Sequence, residues 1–185
     1  MAAGRLPVSL IVACSVNRVI GKKGKLPWNL PADWSFFSST TRDQVLVVGR
    51  RSFEEFDCPI PNRQTIVVST TLQSPTKAQT GDVGGRFYNV RVARTLEQAL
   101  QLAHSEPQYR NCTRVFIGGG EKLYQEAMDT GVAESCYISR VQQQIVGGDT
   151  FFPQWTKQFP HLKYSAKTNG GGNIRVSFEI WGAAH

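Results

Sequence analysis

Three groups of residues in this chain could do chemistry. The first is Asp33, in a segment that is otherwise aromatic and small, with Trp34, Phe36 and Phe37 following it. On a helix Asp33 and Phe37 lie four apart and share a face, with Trp34 beside them. A carboxylate in such company can grip the amidine-like edge of a flat heterocycle, and its pKa rises as water is removed. The plainer alternative is an acid that answers the dipole of a helix N-terminus. The second group is Gly49-Arg50-Arg51-Ser52, between an apolar strand and a short helix over 52–56. Two guanidiniums and a hydroxyl suit phosphate, because planar donors pair bidentately with its oxygens. Exposed arginines on a solvated face would look the same.

The third group is Gly118-Gly119-Gly120, directly after one apolar strand and directly before a helix. Bare backbone there lets N–H groups approach an anion, although a tight turn alone also explains it. The run matches neither GxGxxG nor GxxxxGK[ST]. Two strand-to-helix turns of this kind suit one long ligand with several phosphates. Other schemes have no residues to carry them: there is no GxSxG elbow, no HExxH and no carboxylate pair placed for work on sugars. Cys14, Cys58, Cys112 and Cys136 form no CxxC pair, and His104, His161 and His185 are isolated. The expectation is reduced structural thiols and no metal site.

The elements that must position these groups follow from periodicity. Val8 to Val16 is a nearly continuous apolar run, suited to a strand covered on both faces. Similar runs recur at 45–48, 65–68 and 115–117. Helical spacing separates them: Pro31 opens a helix through about Thr41, and Leu123, Tyr124, Ala127 and Met128 repeat at helical intervals. Leu96, Ala99, Leu100 and Ala103 share one face behind a Thr95–Gln98 capping box. This alternation predicts βαβ units with a mainly parallel central sheet flanked by helices. Runs at 163–167 and 174–180 flank 169–173 and predict a C-terminal antiparallel hairpin at the sheet edge. Thr71 to Gly85 reads as a surface loop.

Length and charge bound the rest. At 185 residues and 41% hydrophobic positions, the expectation is one α/β domain over 1–185 with a core that needs no disulfide. The net charge of +7 should draw anions. No apolar run approaches the ~18 residues of a membrane span, and the N-terminus lacks the pattern of a secretory signal, so a cytoplasmic location is expected.

Taken in order, these groups resemble the dihydrofolate reductase family over essentially the whole chain. Val19-Ile20-Gly21, Leu26-Pro27-Trp28 and Leu30-Pro31-Ala32-Asp33 are similar to the family's flexible active-site loop and acidic helix. Gly49-Arg50-Arg51-Ser52-Phe53-Glu54 resembles its G-[RK]-x-[ST]-[WF]-E stretch, and Pro59-Ile60-Pro61-Asn62-Arg63 its P-L-P-x-R. The glycines with Tyr124, then Gly148-Asp149-Thr150-Phe151-Phe152-Pro153, complete the series.

The resemblance implies NADPH as cofactor and 7,8-dihydrofolate as substrate, with hydride passing to pterin C6 and a proton to N5. It implies that Asp33 holds the pterin 2-amino group and N3, that Ser139 stands where the family usually has threonine, and that Trp28 fixes the loop and holds a water. Leu26, Trp34, Phe37, Ile60, Ile117 and Tyr124 would complete the substrate wall, with Arg63 on the glutamate carboxylate. Ala13 and Ile20 would bracket the nicotinamide. Gly49, Arg50, Arg51, Ser52, Ser69 and Thr70 would receive the phosphates, and Gly118, Gly119, Gly120, Glu121 and Lys122 would cover them.

Three positions depart from the pattern. One residue is added between Ile117 and Tyr124, Gly147 is inserted, and Trp34 is larger than usual and expected to crowd the pterin pocket. A related pterin or pyrimidine reductase is the rival on the same fold. A basic nucleic-acid-binding module is the rival from another class, although no aromatics interleave with the basic residues and no RNP-type signature is present. The expected partners are therefore the two small molecules, with no membrane and no specific nucleic acid, and a monomeric state.

Overall fold

The apolar run near the N-terminus becomes the strand around which the sheet is built. In the computed structural model, which describes residues 5–56, 60–73, 81–83 and 86–184, this strand is β1, Val8–Ser15. Seven of its eight residues are buried, and only Ala13 is partly open. The chain continues through β2 (Val19–Gly21), α1 (Pro31–Thr40), β3 (Val45–Gly49), α2 (Arg50–Glu55), β4 (Arg63–Val68), β5 (Gly81–Val83) and β6 (Arg86–Ala93). It then forms α3 (Leu96–Ser105), β7 (Val115–Ile117), α4 (Glu121–Asp129), β8 (Ser135–Val141), β9 (Thr150–Phe151), β10 (His161–Gly171) and β11 (Ile174–Gly182).

Nine strands pair in the order β10-β11-β8-β1-β7-β3-β4-β6-β5, and β2 pairs with β9 in a separate small sheet. From β8 to β6 every pairing is parallel. The antiparallel pairings lie at the two ends. The expected parallel sheet with a C-terminal hairpin is therefore present. Parallel strands need covered faces, and β1 shows how the sequence covers them. Leu10 and Val12 join the layer under α3 and α4, while Ile11 joins Leu46, Val48, Phe53 and Ile60 on the other side.

Local signals hold where a physical cause fixes them. Pro31 occupies the first turn of α1, where its missing N–H is harmless. Thr95 caps α3 by accepting from Gln98 N at 3.1 Å. The capping box is not reciprocal, because Gln98 Oε1 accepts from Arg94 N rather than from Thr95 N. α2 starts at Arg50, two residues before the expected helix.

Two expectations need correction. The segment read as a loop from Thr71 to Gly85 contains a strand, because Gly81–Val83 pairs antiparallel with β6. Residues 74–80, 84 and 85 of that segment lie outside the described residues, as do residues 1–4, 57–59 and 185. In the hairpin, β10 runs on through Asn169 to Gly171. The turn is consequently only Gly172-Asn173, both at positive φ of 56° and 66°, the left-handed pair that a tight hairpin requires.

Candidate active site

The parallel strands β1, β3, β4 and β7 all end on one rim, where an open α/β sheet receives ligands. Asp33 faces this rim from the first turn of α1 and is 8% exposed. Its Oδ2 accepts from Trp28 Nε1 at 3.1 Å. Burial holds the carboxyl above the usual aspartate range, and the Ser139 hydroxyl and the Trp28 N–H draw it partly back. Ser139 sits on β8 beside Ala13 of β1 and Phe178 of β11. It is 1% exposed, and its Oγ has no hydrogen-bond partner among the described residues. The hydroxyl thus acts on Asp33 by proximity, with its bonding capacity left over. The stack of Phe36 on Phe178, 4.5 Å between centroids, sets α1 against the sheet.

Outward from Asp33 runs an aromatic wall. Phe37 lies 5.7 Å from Trp34 and 6.4 Å from Phe56, and Ile60 is buried behind it in the same apolar layer. Trp34 is 51% exposed, its large ring standing beside Phe37 at the open side of this wall. At the far end the Arg63 guanidinium stands 5.7 Å from the Phe37 ring. Arg63 is buried, and its N–H groups donate to Thr41 Oγ1, Pro61 O, Ser38 O and Ser38 Oγ. A guanidinium has five N–H groups, so one is left without a partner among the described residues. Burial draws its pKa down to about 10, which leaves it charged at neutral pH.

The opposite wall is made by the two glycine turns, which meet. Gly49 N donates to Gly119 O at 2.6 Å, and Gly118 N donates to Val47 O at 2.9 Å. A Cβ on Gly118 would stand 2.9 Å from Leu46 Cδ1. Gly119 has φ +111°, and a Cβ there would meet the Tyr124 ring at 3.2 Å. On Gly120 the nearest atom to an added Cβ is Ser52 Oγ, at 3.3 Å. Tyr124 is buried beneath, its hydroxyl donating to Ile11 O at 2.7 Å. The glycines are therefore there because backbone packs against backbone and ring.

A family model described as dihydrofolate reductase matches residues 7–181. A dihydrofolate reductase of Staphylococcus haemolyticus is 31% identical over 80% of this chain and 77% of its own length. A type 3 dihydrofolate reductase of Salmonella typhimurium is 35% identical over 80% of this chain and 79% of its own. One from Haemophilus influenzae is 30% identical over 87% and 91%. The chain belongs to the dihydrofolate reductase family.

As a member of an oxidoreductase family, the chain brings Trp28, Asp33 and Ser139 together and sets the turn at Gly49 against the turn at Gly118 and Gly119. Arg50 and Arg51 are exposed at the start of α2, and Arg50 is held by Glu54 at 2.6 Å and Thr71 Oγ1 at 2.8 Å. Ser69 is buried, and its hydroxyl accepts from Thr71 N and Leu72 N, so it shapes the turn rather than facing solvent. Thr70 is exposed beside it. Ile117 is fully buried, Leu26 is 48% exposed, Ile20 is half-buried, and Glu121 and Lys122 are exposed on the first turn of α4. Sequence reasoning missed Thr71 and Arg94. The Arg94 guanidinium donates to Ser69 O and Leu72 O, which brings a third arginine to the turn after β4. Its only signal was position, at the end of one strand and before a helix cap.

The loop from Asn17 to Pro27 is tied down opposite Asp33. Lys23 N donates to Asp149 Oδ2 at 2.7 Å, Asp149 N to Gly21 O at 3.1 Å, and Asn17 bonds Ile145 through both of its side-chain groups. Two surface depressions, about 440 Å³ beside Lys22 and Gln143 and about 530 Å³ beside Lys167 and Arg175, lie apart from the Asp33 cleft. No helix among the described residues is long and apolar enough to cross a membrane, and no metal-ligating cluster occurs among them.

Proposed function

We propose that this chain reduces 7,8-dihydrofolate to 5,6,7,8-tetrahydrofolate with NADPH, in support of one-carbon metabolism. The observation that carries the reading is the buried Asp33, bonded to Trp28 and beside the unpartnered Ser139 hydroxyl, at the inner end of an aromatic wall that finishes on Arg63. Asp33 takes the 2-amino group and N3 of the pterin, and a carboxyl raised by burial favours proton delivery at N5. Ser139 completes the polar floor, and Trp28 couples the loop to the acid and holds a water. Leu26, Trp34, Phe37 and Ile60 flank the rings, Ile117 and Tyr124 back the site from the buried layer beneath the glycine turn, and the spare N–H of Arg63 pairs with the glutamate carboxylate.

The residues of the second wall fit the cofactor. A reduced dinucleotide with phosphates at several points calls for close backbone and planar cations. Gly49, Gly118, Gly119 and Gly120 have the close backbone, and Arg50, Arg51 and Arg94 have the cations. Ser52, Ser69, Thr70 and Thr71 add hydroxyls, and Glu121 and Lys122 border the glycine turn. Ala13, the one open position of β1, and Ile20 bracket the nicotinamide. When bound, NADPH supplies the hydride. The chain's own work is to position both rings, exclude water and set the charge around them. We read residues 1–185 as one domain of a cytoplasmic monomer.

The test is loss of NADPH absorbance on adding dihydrofolate, with a dihydropterin lacking the glutamate tail as comparison. Turnover of dihydrofolate at a kcat/KM at least tenfold above the tail-less compound is the expected result. Faster turnover of the tail-less pterin would move the chain to the rival pterin reductase reading, and no oxidation of NADPH would end both.

A further inference from the structure

Part of the excess positive charge lies on the C-terminal hairpin, where the site described above does not use it. Residues 150–178 include Lys157, Lys163, Lys167 and Arg175 and no Asp or Glu. Two of these cations are brought to one place. Lys167 pairs with Ser177, and Asn169 with Arg175, across β10 and β11, so Lys167 and Arg175 stand on one face as diagonal neighbours about 7–8 Å apart. A depression of about 530 Å³ opens there, lined by Lys167, Thr168, Asn169, Asn173 and Arg175.

Among the described residues no acid answers this pair. The ion pairs formed there are Arg42 with Asp43, Arg50 with Glu54 and Arg91 with Glu106, and neither hairpin cation takes part. On the same face of β11 the next acid is Glu179, four residues beyond Arg175 and about 13 Å away at 3.3 Å per residue. It is buried, and its oxygens accept from Ser177 Oγ at 2.8 Å and Trp181 Nε1 at 2.9 Å. With a Debye length of about 8 Å at physiological salt, Glu179 is screened from Arg175 while the two cations still repel each other. α1 meets this end of the hairpin through Leu30 and Pro31, which stand against Gly170 and Gly171, and its one charged residue is the buried Asp33.

The lining thus offers mainly donors and positive charge. Asn169 Oδ1 accepts from Gly171 N at 3.0 Å, which leaves its NH2 group to donate, and an ammonium and a guanidinium have no acceptor capacity. None of the five lining residues is apolar or aromatic. The depression therefore has no surface for a base, a ring or an acyl chain.

We propose that this depression is a binding site for a compact polyphosphate, an anion with at least two linked phosphates that bridges Lys167 and Arg175. A single carboxylate answers one of the two cations, whereas linked phosphates reach both, and the planar fork of Arg175 suits their oxygens. Bound there, the anion removes the repulsion within the hairpin and ties β10 to β11 beside the turn at Gly172-Asn173. The site is separate from the cofactor wall and does not rest on the NADPH reading.

The test is titration with inorganic triphosphate at constant ionic strength, read from the amide NMR signals of Thr168, Asn169 and Asn173. It compares the parent chain with Lys167→Gln/Arg175→Gln and with Arg50→Ala/Arg51→Ala, which removes cations of the other wall. The expected result is a saturating shift of the hairpin amides, with affinity about tenfold lower in the hairpin variant, as for loss of charge-assisted hydrogen bonds, and unchanged in the arginine variant. Both hairpin cations are exposed, so without ligand that variant should melt at or above the parent. Melting several degrees lower would show that the cations serve the fold, and it overturns the site. Shifts that do not saturate, or that are equal in the parent and the hairpin variant, overturn it as well. So does a short DNA duplex that saturates the same amides at lower concentration than triphosphate, because the face would then serve a polymer.

Discussion

At the scale of single residues the fold places an acid where water is scarce, and Asp33 carries the consequences. Its carboxyl is raised by burial, so the folded chain binds a proton there more readily than the unfolded one. The stability this gives is fully present below the ordinary aspartate value of 3.8 and is lost as pH rises through the raised folded value. Asparagine cannot ionise. Asp33→Asn is therefore expected to melt higher than the parent at pH 7, with the difference closing as pH falls below 3.8. The same variant should lose about 10²–10⁴ in kcat/KM, the span of a positioned proton-handling group. Differential scanning at several pH values checks the first part, and equal melting throughout would mean that Asp33 is solvated. On the other wall, Arg50→Ala should weaken NADPH binding by about 1.5–3 kcal/mol and NADH binding little. Calorimetry with both cofactors distinguishes recognition of the extra phosphate from a general electrostatic loss, which would weaken both alike.

At the scale of elements the site depends on segments of unequal legibility. Val8–Ser15, Val45–Gly49 and Val115–Ile117 were readable because strands covered on both faces need unbroken apolar runs. β8 was not, since Ser135, Tyr137 and Arg140 interrupt it. It borders the antiparallel hairpin on one side, and its pattern is mixed. β2 and β9, three and two residues long, are too short for any period to show. Asp33 and the glycine turns could be found by residue type. The bond from Tyr124 to Ile11 O and the brace of Arg94 could not, because each joins residues more than twenty apart in the chain. The loop that precedes Trp28 is held in part by an exposed carboxylate, Asp149, whose pKa is lowered first by the Lys23 N–H and then by the Thr150 hydroxyl. A lowered carboxyl gives its support above the ordinary range and loses it as pH falls through the folded value. Asp149→Ala should accordingly speed hydrogen exchange at the Lys23 amide while leaving the amides of β1 unchanged. Equal exchange in the two proteins would show that Asn17 and Ile145 hold the loop without help.

At the scale of the whole molecule the relevant quantity is charge, +7 over 185 residues. Apart from the hairpin, positive groups stand exposed in two places: Lys22, Lys23 and Lys25 on the loop before Trp28, and Arg50, Arg51 and Arg94 at the turns after β3 and β4. An excess of this size produces a potential that extends about a Debye length into solvent, ~10 Å at 0.1 M salt and ~30 Å at 0.01 M. A cofactor with several phosphates, as proposed above, would enter that field before it touched the protein. Its association rate constant is therefore expected to fall by about tenfold between 0.01 and 0.2 M salt, while its dissociation rate constant, set by contacts made after docking, changes by less than about threefold. Stopped-flow fluorescence with NADPH measures both. The same excess charge is the one feature that also suited a nucleic-acid-binding module, and salt distinguishes them, because duplex binding through many phosphates loses affinity far more steeply over that range. Duplex binding that survives at 0.2 M salt with a steep slope, together with a salt-independent NADPH association rate, would show that the basic surface serves a polymer and not the cleft.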